Sequence, residues 1–90
     1  MSRVRRRVVV RGRVQGVWFR ASAEREASSR RVGGFARNER DGSVLLELEG
    51  EAADVDAVVD WCRLGPPRAE VTGLEVTDLP VLGTASFRTD

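Results

Sequence analysis

Ninety residues with a formal net charge of +1 and one cysteine predict a single small domain (residues 1–90), near the lower size limit for an unaided core, with no internal disulfide. No run of about eighteen apolar residues occurs, and no signal-peptide core follows Met1-Ser2-Arg3, so the expectation is a cytoplasmic protein without a membrane partner. Histidine, lysine and tyrosine are absent and all fifteen basic residues are arginine, a bias that a GC-rich coding sequence accounts for. This removes the usual neutral-pH general base, the Schiff-base and Walker lysines, and any zinc or iron–sulfur ligand set, so no metal and no cofactor is expected. An enzyme built from these residues must work by positioning and electrostatics.

In chain order, Arg5 to Val14 reads as a strand, with β-branched residues at Val8, Val9, Val10 and Val14. Gln15-Gly16 breaks it. A helix follows from about Ala21 to Arg31, where Phe19, Ala23 and Ala27 recur at i, i+4 and i+8 as a narrow apolar face that Arg30 weakens. Gly33-Gly34 ends the helix and opens a second strand, Phe35–Asn38; Asp41-Gly42 is a turn signal, and Ser43–Glu49 completes a hairpin. In that third strand Val44, Leu46 and Leu48 alternate with Leu45, Glu47 and Glu49, which puts the two glutamates on a solvated face. A second helix spans about Glu51 to Leu64, with Val55, Val58, Val59 and Cys62 on its inner stripe and the thiol buried and inert. Gly65 and Pro66-Pro67 stop it. A fourth strand covers Glu70–Val76 and a short last one Ala85–Arg88, leaving residues 1–4 and 89–90 loose. The order βαββαβ plus one strand predicts an α+β, ferredoxin-like two-layer sandwich: an antiparallel sheet with both helices on one face.

The run Gly12-Arg13-Val14-Gln15-Gly16-Val17-Trp18-Phe19-Arg20 sits where the first strand passes into the first helix. Glycines let backbone N–H groups turn toward a ligand, a helix N-terminus adds positive potential, and arginine can clamp two phosphate oxygens. The Gly-Lys-Ser/Thr ending of a nucleotide P-loop is missing. A cation at a helix N-terminus runs against the macrodipole, so a purely structural role for Arg20 is poorly motivated. Gly16 permits close backbone approach, Gly12 relieves strand packing, and Gln15 contributes its amide more than its side chain. Trp18 and Trp61 read as core or cleft-wall residues, Arg13 and Arg37 as sources of local positive potential. Asn38, taken alone, reads as a strand-end residue starting a turn.

Taken together, Gly12-x-Val14-Gln15-Gly16-Val17-x-Phe19-Arg20 and Gly34-Phe35-Ala36-Arg37-Asn38-x-x-Asp41-Gly42-x-Val44 resemble the acylphosphatase family signature. Trp61-Cys62-Arg63-x-Gly65-Pro66-Pro67-x-Ala69-x-Val71 and Phe87-Arg88 extend the resemblance to bacterial members and over nearly the whole chain. The resemblance implies metal-free hydrolysis of small acyl phosphates to a carboxylate and inorganic phosphate; for a compact enzyme of this size a monomer is the simplest expectation. It implies that Arg20 binds the phosphate, that Asn38 positions the attacking water, and that the amides of Gln15, Gly16, Val17, Trp18, Phe19 and Arg20 surround the phosphate oxygens. The chain departs from the family where Arg30-Arg31 replaces a hydrophobic residue and glycine, and where Phe35 and Ala36 replace tryptophan and valine. An arginine in a left-handed cap costs about 1 kcal/mol, and a helix stopping near Ser28-Ser29 is the alternative.

Two other functions share these features. Residues 1–23 carry +7 and the remainder −6, an asymmetry that suits nucleic acid, but the strands lack the aromatics on which RNA-recognition sheets stack bases, so no nucleic-acid partner is expected. A non-catalytic phosphate-binding module is the other; acylphosphatase-like domains also occur fused to larger proteins such as hydrogenase maturation factors. A chain stopping right after its last strand is the expectation for a free-standing enzyme.

Overall fold

A computed structural model describes residues 2–90. The elements are β1 (Arg3–Arg13), α1 (Phe19–Ser29), β2 (Gly33–Asn38), β3 (Val44–Glu51), α2 (Ala52–Cys62), β4 (Glu70–Leu79) and β5 (Phe87–Thr89). They form one five-stranded sheet in the order β4-β1-β3-β2-β5. The first four strands pair antiparallel as the element order predicts, while the extra strand β5 lies parallel to β2.

Alternation on the strands separates the two faces. Val8 and Val10 of β1, Ala36 of β2 and Val44, Leu46 and Leu48 of β3 are fully buried against Phe19, Ala23 and Ala27 of α1 and Val55, Val58 and Cys62 of α2. Both helical stripes read from the sequence are therefore the packed ones. Burial pushes the Cys62 thiol up to about 12, which leaves it protonated and unreactive at neutral pH.

The ends of the chain are tied down, contrary to the loose termini expected. Arg3 and Val4 pair with Glu51 and Gly50, Thr89 pairs with Ala36, and the Asp90 amide donates to the Ala36 carbonyl. Of the segment 1–4, only Met1 lies outside the described residues.

Glu47 and Glu49 are not solvated either. Glu49 is 0 % and Arg5 4 % exposed. They stand opposite each other on the helix-free face, as do Arg7 and Glu47. Arg5 bridges both glutamates at 2.8 and 2.9 Å. Burial follows from the 80–86 segment, which must cross this face to connect β4 on one edge with β5 on the other. Its Leu82 and Gly83 amides donate to Glu49, and Arg5 also donates to Thr84 Oγ1. Desolvation works to raise both glutamate pKa values, but the hydrogen bonds from Arg5, with those from Arg7 to Glu47 and from the Leu82 and Gly83 amides to Glu49, outweigh it and hold both below the ordinary value.

Helix α1 ends at Ser29, and Arg31 takes the left-handed position, φ 58°. The Val32 amide donates to Ala27 O and the Arg31 amide to Ser28 O, the paired bonds of a Schellman cap whose left-handed residue is usually glycine. Both sequence expectations hold at once: an early stop and an arginine in the strained position. Arg31 is exposed and makes no ion pair among the described residues. Arg31→Gly is therefore expected to stabilise the fold by about 1 kcal/mol. In thermal unfolding this is a rise in Tm of about 4–8 °C; an unchanged or lower Tm would show that the cap carries no strain.

Candidate active site

The loop between β1 and α1 is shaped by residues that sink into the core and residues that cannot. Val14, Val17 and Phe19 are buried, and the Phe19 ring packs on Trp61 with centroids 5.3 Å apart. These anchors leave the intervening backbone on the surface. A register shift at Arg11/Gly12 in the β1–β4 pairing redirects the chain into the loop; Gly12 has φ 123°, and a Cβ there would stand 2.1 Å from Glu70 O.

Gly16 (φ 73°) and Trp18 (φ 67°) are both left-handed, with a residue between them. Alternation of this kind turns successive N–H groups to one side and makes a concave anion site. At Gly16 the positive φ is what calls for glycine, since a Cβ would meet no protein atom within 4 Å. Among the described residues, none of the amides from Gln15 to Ala21 donates to a protein acceptor; Ser22 is the first to do so, to Trp18 O at 3.0 Å. The positive end of α1 adds to this field.

A cavity of about 410 Å³ opens beside the loop, with Gly16, Trp18, Phe19, Arg20, Asn38, Glu24 and Thr89 among its walls. It thus gathers four of the six loop residues and the asparagine singled out in the sequence. Gln15 and Val17 are not among its walls; their amides belong to the same run.

Arg20 lies half-exposed at the second position of α1, and its Nη1 donates to the Asp90 carbonyl oxygen at 2.6 Å. Seven arginines precede Glu24. Arg3, Arg5, Arg6, Arg7, Arg11 and Arg13 each have a carboxylate within 4.0 Å. Arg20 has no Asp or Glu side chain within that distance among the described residues, and its Nε and Nη2 make no protein hydrogen bond there, so they stay available to a ligand. Arg13 and Arg37, expected to raise the local potential, are instead neutralised by Glu70 and Glu39, at 3.6 and 2.8 Å, and do not line the cavity.

Asn38 closes β2 on the same face as Gly34 and Ala36, one step beyond the packed core, so alternation alone delivers it to the cavity. Its side chain makes no protein hydrogen bond among the described residues. Contrary to the expectation that Gln15 acts more through its backbone amide, its side chain holds the two halves together: Gln15 Nε2 donates to Glu39 O at 2.7 Å and to Ser43 O at 2.9 Å, tying the loop to the hairpin that follows Asn38. A glutamine is the signal, since its NH2 offers two donors on one uncharged nitrogen. Asp41 completes the turn by accepting from the Ser43 hydroxyl and amide, bonds that hold its carboxyl below the ordinary value. Trp18 forms cleft wall rather than core and is 76 % exposed. Among the described residues no three histidine, cysteine, aspartate or glutamate side chains come together as a metal ligand set.

Comparison with known proteins agrees with this geometry. A family model described as acylphosphatase matches residues 6–89. An acylphosphatase of Methylococcus capsulatus is 57 % identical over 76 residues, 84 % of this chain and 83 % of the relative. The crystal structure of acylphosphatase from Bacillus subtilis superposes with a TM-score of 0.92 at 34 % identity, over 97 % of this chain and 98 % of that one. Full-length HypF, solved in a phosphate- and nucleotide-bound form, shares the fold with a TM-score of 0.91 at 24 % identity, but the match takes up only 12 % of its length.

Proposed function

The chain belongs to the acylphosphatase family and hydrolyses the carboxyl–phosphate anhydride of small acyl phosphates, and on that premise we propose how its residues divide the work. The phosphate lies on the amides from Gln15 to Arg20, the Arg20 guanidinium clamps its oxygens, and Asn38 holds the attacking water. The observation that carries this reading is the setting of Arg20: one arginine of seven without an Asp or Glu side chain within 4.0 Å among the described residues, at the start of a helix and beside a run of undonated amides.

The chemistry matches the residues available. Phosphoryl transfer leaves little covalent work for the protein and rewards alignment and neutralisation of the equatorial oxygens. Arginine and amides supply neutralisation at every working pH. Asn38 can both accept from and donate to water without acting as a base. Water attacks phosphorus as the acyl C–O–P bridge breaks on the phosphorus side. The leaving group, a carboxylate with an ordinary pKa of about 4, departs without a general acid. One water proton passes to the phosphate oxygens, so the products are the carboxylate and dihydrogen phosphate. No step calls for a metal or cofactor, and the enzyme acts as a cytoplasmic monomer.

The basic N-terminal segment does not favour nucleic acid. Six of its arginines are engaged by carboxylates within the fold, which removes most of the charge a phosphate backbone would need. The test of the hydrolase reading is turnover of an aryl acyl phosphate in excess chelator, with inorganic phosphate as a competitive inhibitor. Unchanged turnover in chelator is expected. Phosphate binding without any turnover would leave a phosphate-binding module.

A further inference from the structure

The phosphate accounts for one side of the cavity only. Asn38 and Thr89 form its strand-borne side, while Trp18, Ala21 and Glu24 form the side carried by the loop and α1. Another, more open groove shares Ala21 and Glu24 and continues along α1 to Arg25 and Ser28. In-line displacement puts the leaving carboxylate opposite the water, and hence away from Asn38, against the helical side.

The left-handed backbone at Trp18 serves the anion site, but two side chains on that face lack a structural reason. Trp18 spends a left-handed backbone on a bulky residue and leaves its indole 76 % exposed, where burial gains nothing. Backbone strain of this kind clusters at active sites and ligand clamps, and an exposed indole offers a ligand a flat face on which to stack. Glu24 lines a cavity meant for an anion, yet no cation lies within 4.0 Å of it among the described residues. It stands beyond the first turn of α1, too far along to stabilise the macrodipole. It is one turn from Arg20 and one from Ala21, so all three share a helix face.

We propose that Trp18 and Glu24 select the acyl group: the indole stacks on a flat, uncharged acyl group next to the phosphate, and the Glu24 carboxylate disfavours acyl groups bearing a second negative charge. The inference rests on the assignment of this cavity as the acyl phosphate site. The enzyme's preferred substrates are then monofunctional acyl phosphates with planar or aromatic acyl portions, over those derived from dicarboxylic acids.

The experiment compares kcat/KM for benzoyl, acetyl and succinyl phosphate in the wild type, Trp18→Ala and Glu24→Gln. Ratios between substrates, each referred to the wild type, cancel the intrinsic reactivity of the anhydrides. Trp18→Ala is expected to lower the benzoyl-to-acetyl ratio by about three- to tenfold, through KM, at any ionic strength. Glu24→Gln is expected to raise the succinyl-to-acetyl ratio by about three- to tenfold at low salt, with the gain shrinking near 1 M salt, where the Debye length is about 3 Å. Both side chains are off the core, so folding is checked simply by circular dichroism. Hydrolysis of all three substrates with both ratios unmoved would overturn the proposal. A folded wild type that hydrolyses none of them would overturn the hydrolase reading and this inference with it.

Discussion

Exchanging Arg20 for lysine is expected to weaken inorganic phosphate as an inhibitor, and to raise KM for acyl phosphates, by about 10- to 100-fold although the charge is kept. The guanidinium is a planar fork. One arm, Nη1, is held by the Asp90 carbonyl at 2.6 Å, which orients the rest of the fork toward the cavity and lets two donors meet two phosphate oxygens. An ammonium is a point charge with no such geometry, and it cannot hold Asp90 and the phosphate with the same spacing. Stability should change little, because Arg20 is half-exposed and has no side-chain carboxylate partner among the described residues. Phosphate inhibition constants and the unfolding curve together check this. A lysine variant with wild-type phosphate affinity would remove the clamp and leave the amides as the whole site.

Much of this candidate site is legible in the sequence, because its parts are local. The glycines, the strand-to-helix passage and Arg20 lie within nine consecutive residues, and the reach of Asn38 follows from strand alternation past Ala36. What stayed hidden depends on contacts between distant segments. Glu47 and Glu49 look like an outward, solvated pair on β3 until the 80–86 segment is laid across them, and no local pattern announces that crossing. One signal was present: Arg5 and Arg7 alternate on β1 as the glutamates do on β3, and like spacing of opposite charges on paired strands predicts cross-strand partners. Pairing across strands and between neighbouring elements likewise engages six of the seven arginines that make up the +7 of the first segment. Formal charge was counted in sequence, but neutralisation happens in space. The role of the Gln15 side chain is hidden for a related reason, since its two acceptors, Glu39 O and Ser43 O, lie more than twenty residues downstream.

The two side chains proposed for the chemistry sit on different elements, which makes their roles separable. Arg20 rides on α1 with the amides, whereas Asn38 ends β2, and Gln15 is the tie between the two. Loss of Asn38 should therefore damage the reaction without dismantling the anion site. Asn38→Ala is expected to lower kcat for an acyl phosphate by about 10²-fold or more, with phosphate inhibition changed by no more than about threefold. The reason is entropic and geometric: an unheld water must find the in-line approach on its own, while the ground-state contacts to phosphate are those of the loop. Asn38 lies beyond the packed core and its side chain has no protein partner among the described residues, so its truncation opens no cavity in the core and orphans no polar group. A kcat that survives the change would take the water away from Asn38. Equal losses in kcat and in phosphate affinity would instead mean that the asparagine touches the phosphate itself, since a group that acts only on the nucleophile has nothing to hold once the water is replaced by product.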